Sequence, residues 1–235
     1  MGGNILSDVV RLRPTTARIL LELADCKPNQ LIVDPCAGIG TIPVECERYF
    51  TFRSVGIGGD IVMDHNSMTS TALALEGVAN NQLNNSFSRL SVAWDAAYLP
   101  LRTGIVDAVV SDLPFGKMCL SSHTMEKLLP LIIQECARIL VPSTGRMLLL
   151  CGSPDSLVRA LGEQPKYWKQ PCKMLLPVNI GGLLAWICHV ERSSTPYDRN
   201  EMSTKESKKL VRGMTKRRDV RRYHDSKKRR VQSKS

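Results

Sequence analysis

Leu31-Ile32-Val33-Asp34-Pro35-Cys36-Ala37-Gly38-Ile39-Gly40 is the stretch that decides the fold. Leu31 to Val33 read as a short buried strand, and Gly38 and Gly40 sit where that strand must turn into a helix. Small residues there let the backbone come close to a ligand. Thr41 is expected to cap the helix, with Pro43 in its first turn.

Working outward, the same alternation recurs. Strand candidates are Leu31 to Asp34, Ser54 to Gly58, Leu90 to Trp94, Val106 to Ser111 and Met147 to Cys151. Helix candidates are Pro14 to Asp25, Ile42 to Tyr49, Thr71 to Leu83, Met125 to Leu140 and Ser156 to Leu161. Apolar, β-branched segments set between helices predict an α/β fold with a parallel sheet covered on both faces. Lys173 to Val178 and Leu184 to Val190 flank Asn179-Ile180-Gly181-Gly182, which reads as a hairpin. Five alternating strands and a hairpin match the Rossmann-like, seven-stranded, mostly parallel sheet of class I methyltransferases with its C-terminal antiparallel hairpin.

Composition narrows the class. With 235 residues and 43% hydrophobic content, the chain can bury one good core. Its longest apolar runs are about nine residues, short of the roughly 20 that span a bilayer, so a soluble protein without a membrane partner is expected. The N-terminus lacks a secretory pattern, and Leu6 stands where a myristoylation motif wants Ser or Thr. The eight cysteines, at 26, 36, 46, 119, 136, 151, 172 and 188, include no Cys-x-x-Cys pair. They read as reduced thiols in the cytoplasm or nucleus, with no metal site.

The net charge of +10 is unevenly placed: residues from Arg192 onward carry +11 and residues 1–191 carry −1. Residues 1–191 are therefore read as one catalytic domain and 192–235 as a disordered basic tail ending in Lys227-Lys228-Arg229-Arg230. Such a tail suits a nucleic-acid tether or a nuclear-import signal.

Strand ends carry the chemistry. Asp34 closes the first strand, Asp60 the second, Asp95 the third after Trp94, and Asp112 the fourth. Asp34 could accept a hydrogen bond from a ligand, Asp60 could hold ribose hydroxyls with Asp64 as a rival, and Asp95 could accept an adenine amino group. There is no phosphate loop and no third glycine of the dinucleotide fingerprint. A cofactor without a pyrophosphate fits better, and S-adenosylmethionine is such a molecule, with Asp34, Cys36, Gly38, Gly40, Thr41, Asp60 and Asp95 as its candidate contacts.

The fourth strand runs into Asp112-Leu113-Pro114-Phe115-Gly116-Lys117. A carboxylate, a rigid proline and an aromatic ring at a strand end can hold a flat, nitrogen-bearing base. An exocyclic amine conjugated to such a ring is a poor nucleophile. Asp112 and a carbonyl at Leu113 or Pro114 can accept its N–H groups and leave the lone pair facing the methyl donor, while Phe115 stacks on the base. Asp112, Pro114 and Phe115 are the catalytic candidates; Leu113, Gly116 and Lys117 are the substrate-binding ones.

This hexapeptide resembles the Asp/Asn-Pro-Pro-Tyr/Phe loop of methyltransferases acting on planar nitrogens, and its form is similar to the THUMP-associated RNA guanine-N2 methyltransferases. Leu12-Arg13-Pro14-Thr15, Leu99 to Gly104, Thr144-Gly145-Arg146 and Asn179 to Leu183 resemble further motifs of that family, in its order. The resemblance implies methyl transfer from S-adenosylmethionine to guanosine N2 in RNA, tRNA before other RNAs, and so a place in tRNA processing. It also implies a small zinc-binding activator subunit, as in eukaryotic members. Adenine N6 or a protein amide are alternative acceptors for related loops, and a catalytically idle RNA-binding or assembly protein is an alternative of another class. Family members carry an N-terminal THUMP domain that grips RNA, whereas here the motifs begin near residue 11. A fragment, a shortened isoform and an enzyme relying on its basic tail are the three readings of that difference.

Overall fold

The structure, a computed structural model, describes residues 12–50, 53–60, 90–114, 122–170 and 172–198. The expected helix Thr71 to Leu83, the rival Asp64, and Phe115, Gly116 and Lys117 lie outside the described residues, as does most of the basic tail. Within them the order is α1 (Pro14–Leu23), β1 (Leu31–Asp34), α2 (Thr41–Tyr49), β2 (Val55–Asp60), β3 (Leu90–Ala93), β4 (Ala108–Asp112), α3 (Ser122–Ile139), β5 (Arg146–Cys151), α4 (Pro154–Gly162), a 3-10 turn (Pro165–Tyr167), β6 (Met174–Ile180) and β7 (Leu183–Glu191).

The seven strands form one sheet in the order β3-β2-β1-β4-β5-β7-β6. All neighbours from β3 to β5 pair in parallel, and β7 pairs antiparallel with both β5 and β6. The chain reverses its direction of travel across the sheet after β3, so the topological switch lies between β1 and β4, where open α/β sheets place their ligands. This is the Rossmann-like sheet of class I methyltransferases, with its antiparallel C-terminal pair.

Two apolar layers hold the sheet. Val33, Val109, Met147, Leu149 and Val190 face one side with Leu129, Ile133, Leu140, Leu157 and Leu161. Ile32, Ala108, Val110, Leu148 and Leu150 face the other with Leu20, Leu21, Ile42 and Cys46. The inner strands β4 and β5 are therefore buried on both faces, and their segments Ala108 to Val110 and Met147 to Cys151 read as apolar runs. Each fully buried Leu, Ile or Val contributes about 1.5–3 kcal/mol relative to exposure.

The glycines of β2 are explained by packing. A Cβ on Gly56 would lie 2.8 Å from the Pro43 carbonyl oxygen, one on Gly58 2.6 Å from the Pro43 ring, and one on Gly59 2.1 Å from the Trp94 indole. The first turn of α2 and the Trp94 ring thus lie directly on the β2 backbone.

Several edges differ from expectation for identifiable reasons. α1 stops at Leu23 because Ala24 caps it and Asp25 takes φ 52°. β2 extends to Asp60 because Ile57 to Asp60 pair with Leu90 to Ala93 of β3. β4 begins at Ala108; Val106 forms an isolated parallel bridge to Leu140, and the Asp107 carboxylate turns away to accept the Leu31 amide at 2.8 Å. Thr41 is not the cap. Gly40 occupies that position at φ 84°, a conformation that favours glycine, and no side chain caps the helix.

Arg192, read as the first residue of the tail, is fully buried. Its guanidinium donates to the carbonyls of Ala137 (2.8 Å), Tyr167 (3.1 Å), Ser193 (3.2 Å) and Thr195 (2.8 Å) and lies 4.7 Å from the Tyr167 ring centroid. Tyr197 stacks on Tyr167 at 5.2 Å, and the compact unit runs to Tyr197. Charge counting put the junction at 191 because it read a single arginine as solvated; four carbonyls pull it inside.

Candidate active site

The carboxyl ends of β3, β2, β1 and β4 lie side by side, which places Asp95, Asp60, Asp34 and Asp112 along one rim in that order. Three interstrand steps of about 4.8 Å make this rim roughly 14 Å long. Only a parallel arrangement does this, since parallel strands all deliver their last residues to the same edge.

Asp34 is 3% exposed. Its Oδ1 accepts both the Ser111 hydroxyl at 2.6 Å and the Cys36 amide at 3.1 Å. Burial, aided by the charges of Asp112 and Asp60 and opposed by those two hydrogen bonds, pushes its carboxyl up to about 8. Burial alone pushes Asp112 up to about 7, and among the described residues its Oδ1 is buried with no hydrogen-bond partner. A buried, unpartnered acceptor costs on the order of 1–3 kcal/mol. Such an acceptor at a strand end has capacity for a donor from outside the described residues.

Asp60 Oδ2 accepts the Gly38 amide at 3.0 Å. The acid expected to meet a ribose therefore also holds the glycine loop. Gly38 takes φ 54°, and a Cβ there would meet nothing within 4 Å, so this loop faces open space. Among the described residues Thr41 Oγ1 is buried without a hydrogen-bond partner. Cys36 has its thiol well above the ordinary range through burial, with Asp34, Asp60 and Asp112 adding to it. It stays a neutral thiol at pH 7, so its contribution to the rim is its amide.

Trp94 is a core residue. Its indole N–H donates to the Pro35 carbonyl at 3.0 Å, tying the end of β3 to the loop after β1. Asp95 Oδ1 accepts the Ala97 amide at 2.9 Å in a turn closed by the Tyr98 amide on the Asp95 carbonyl. Pro114 is half-buried and Leu113 buried, the latter fixed by its amide on the Leu150 carbonyl at 3.0 Å. The structure thus brings Asp34, Cys36, Gly38, Asp60 and Asp112 together, and sets Asp95 at the far end of the same rim.

Ser111 was missed from sequence. A hydroxyl ending the apolar run Ala108 to Val110 was the available signal, since a buried serine must find a partner. The motifs flanking the site prove to be braces. Glu135 accepts the Leu99 amide while Arg138 donates to the carbonyls of Leu99 and Leu101, pinning the approach to β4. Arg146 donates to the Ala24 carbonyl and Gln30. Gly181 and Gly182 take φ 60° and 88°, and Asn179 Oδ1 accepts the Gly182 amide. Among the described residues no cluster of metal-ligating side chains and no helix long and apolar enough to cross a membrane occurs.

Comparison with known proteins agrees with this architecture. The chain is 32% identical over 189 residues to mouse tRNA (guanine(6)-N(2))-methyltransferase THUMP3, covering 79% of this chain and 37% of that protein. It is 29% identical over 139 residues to bovine U6 snRNA (guanine-N(2))-methyltransferase THUMPD2, covering 59% and 25%. The crystal structure of TrmN from Thermus thermophilus superposes with a TM-score of 0.61 at 25% identity, over 77% of this chain and 49% of that one. The chain therefore spans about a third of the length of the mouse relative and half of the bacterial one. Residues 8–55 and 70–185 match the family model described as RMKL-like, methyltransferase domain. With the glycine loop and the strand-end carboxylates Asp34, Asp95 and Asp112 falling inside those residues, this chain belongs to the RMKL-like methyltransferase domain family.

Proposed function

We propose that this chain transfers a methyl group from S-adenosylmethionine to the exocyclic N2 amine of guanosine in RNA, with tRNA as the first substrate class. The observation that carries the reading is Asp112 at the end of β4, its Oδ1 buried and, among the described residues, unpartnered, beside the buried carboxyl of Asp34. The names of the mouse, bovine and bacterial relatives support the acceptor.

The residues present suit the donor. The glycine loop opens onto space at Gly38, Thr41 offers an unpartnered hydroxyl, and Asp34, Asp60 and Asp95 offer acceptors spaced along the rim for an ammonium, ribose hydroxyls and an adenine amine. Bound there, S-adenosylmethionine would supply an electrophilic methyl on a sulfonium. Asp112 would accept one N–H of the guanine amine and the carbonyl at Leu113 or Pro114 another, so that the nitrogen lone pair points along the line of transfer. As positive charge grows on that nitrogen, the Asp112 carboxylate binds it more tightly than the neutral amine, which is the condition for acceleration. Phe115, Gly116 and Lys117 complete this reading from sequence. A paired guanosine would have to leave its stack to reach the rim.

The basic residues beyond Tyr197 serve in this reading as the RNA tether, in a protein of the cytoplasm or nucleus. A small zinc-binding activator subunit belongs to the reading by resemblance. Calorimetric titration with S-adenosylmethionine, with and without such a subunit, followed by nucleoside analysis of RNA treated with labelled donor, tests it. N2-methylguanosine is the expected product. Label in adenosine or protein, or no donor binding in either condition, rejects it.

A further inference from the structure

The Ser111 hydroxyl is unused by the reading above, and its bond to Asp34 has an asymmetry that points to a role. Both hydrogen bonds to Asp34 arrive at Oδ1, from the Ser111 hydroxyl at 2.6 Å and the Cys36 amide at 3.1 Å. Among the described residues Oδ2 receives no hydrogen bond. The charged and titratable groups that face Asp34 are Asp60 from β2, Asp112 from β4 and the Cys36 thiol, and all of them are acidic. Among the described residues nothing basic neutralises the carboxylate, and the donors that orient it are neutral.

Ser111 is the side chain that does so. It is 0% exposed, it reaches across from β4 to β1, and it immediately precedes Asp112. Strand alternation sends the side chains of residues 111 and 112 in opposite directions, which lets one strand end anchor Asp34 while the next residue offers its carboxylate to the acceptor.

We propose that Ser111 is a positioning residue for the methyl donor: by occupying Oδ1 of Asp34 it turns Oδ2 toward the rim, where that oxygen accepts a hydrogen bond from an ammonium or hydroxyl group of the donor. The proposal deepens the function proposed above and rests on it. Hydrogen bonds to a charged group contribute about 1.5–3 kcal/mol, so its loss weakens donor binding roughly 10- to 100-fold. The acceptor side is untouched by this change.

The test compares the full chain with Ser111→Ala and Ser111→Cys, the latter preserving side-chain size while replacing the hydroxyl by a weak donor. Affinity for S-adenosylmethionine is measured across pH 6 to 9, and KM for RNA at saturating donor. The expected result is a 10- to 100-fold weaker donor affinity in both variants, an affinity profile displaced to higher pH because Asp34 loses a donor to its charged form, and an unchanged KM for RNA. Wild-type donor affinity in Ser111→Cys overturns the inference alone, as does an equal rise in both constants. Failure of the unaltered chain to bind the donor overturns the inference together with the function on which it rests.

Discussion

At Asp112 and Asp34, stability and activity set opposite demands on pH. Each has its carboxyl raised in the folded protein, to about 7 and about 8, against about 3.9 when unfolded. The folded state holds these protons more tightly, so their contribution to stability is greatest below about pH 4 and is lost as pH rises toward 7 and 8. Thermal unfolding between pH 4 and 8 checks this, and the decline is expected to flatten in Asp34→Asn. Activity runs the other way. Asp112 must be ionised to accept the amine fully, so kcat/KM, which reports ionisation of the free enzyme, is expected to rise with pH through about 7. Asp112→Asn is expected to lower kcat by about 100-fold or more while leaving stability at pH 8 equal to or above that of the native chain. Single-turnover methylation alongside a thermal melt at that pH separates the two effects.

At the scale of elements, β2 is a strand whose shape is dictated by what lies on it. Gly59 holds the Trp94 indole so closely that a Cβ would overlap it. Gly59→Ala is expected to destabilise the domain by about 1–3 kcal/mol, as overpacking does, and Trp94→Leu in the same chain to recover part of that loss; denaturant unfolding of the two single variants and the double variant measures the recovery. The sequence showed a strand from Ser54 to Gly58 with Asp60 closing it, yet not why it tolerated three glycines, because the residues that need the space, Pro43 and Trp94, come from the helix before and from just past the strand after. Thr41 illustrates the same limit: a threonine after Gly40 satisfies every compositional rule for a cap, and only the φ of Gly40 shows that the glycine took the position. The alternation of elements, the strand ends and the hairpin were legible because each depends on local pattern. The Ser111–Asp34 bond was hidden because its partners stand 77 residues apart.

For the whole molecule, the packed part ends where its last buried group ends. Arg192 closes the carbonyls of Ala137, Tyr167, Ser193 and Thr195, and leaving such acceptors unpaired costs about 1–3 kcal/mol apiece when water cannot reach them. A chain truncated after Glu191 is expected to lose several kcal/mol and melt at lower temperature, whereas one truncated after Tyr197 is expected to melt like the full chain; calorimetry of the two decides. The tie between Trp94 and the Pro35 carbonyl also has a practical side. Indole emission follows the polarity and bonding of its N–H, and this N–H is fastened to the turn that separates Asp34 from Gly38. With Trp168 and Trp186 exchanged for phenylalanine, the protein would carry one native fluorophore beside its rim, able to signal occupancy without a label.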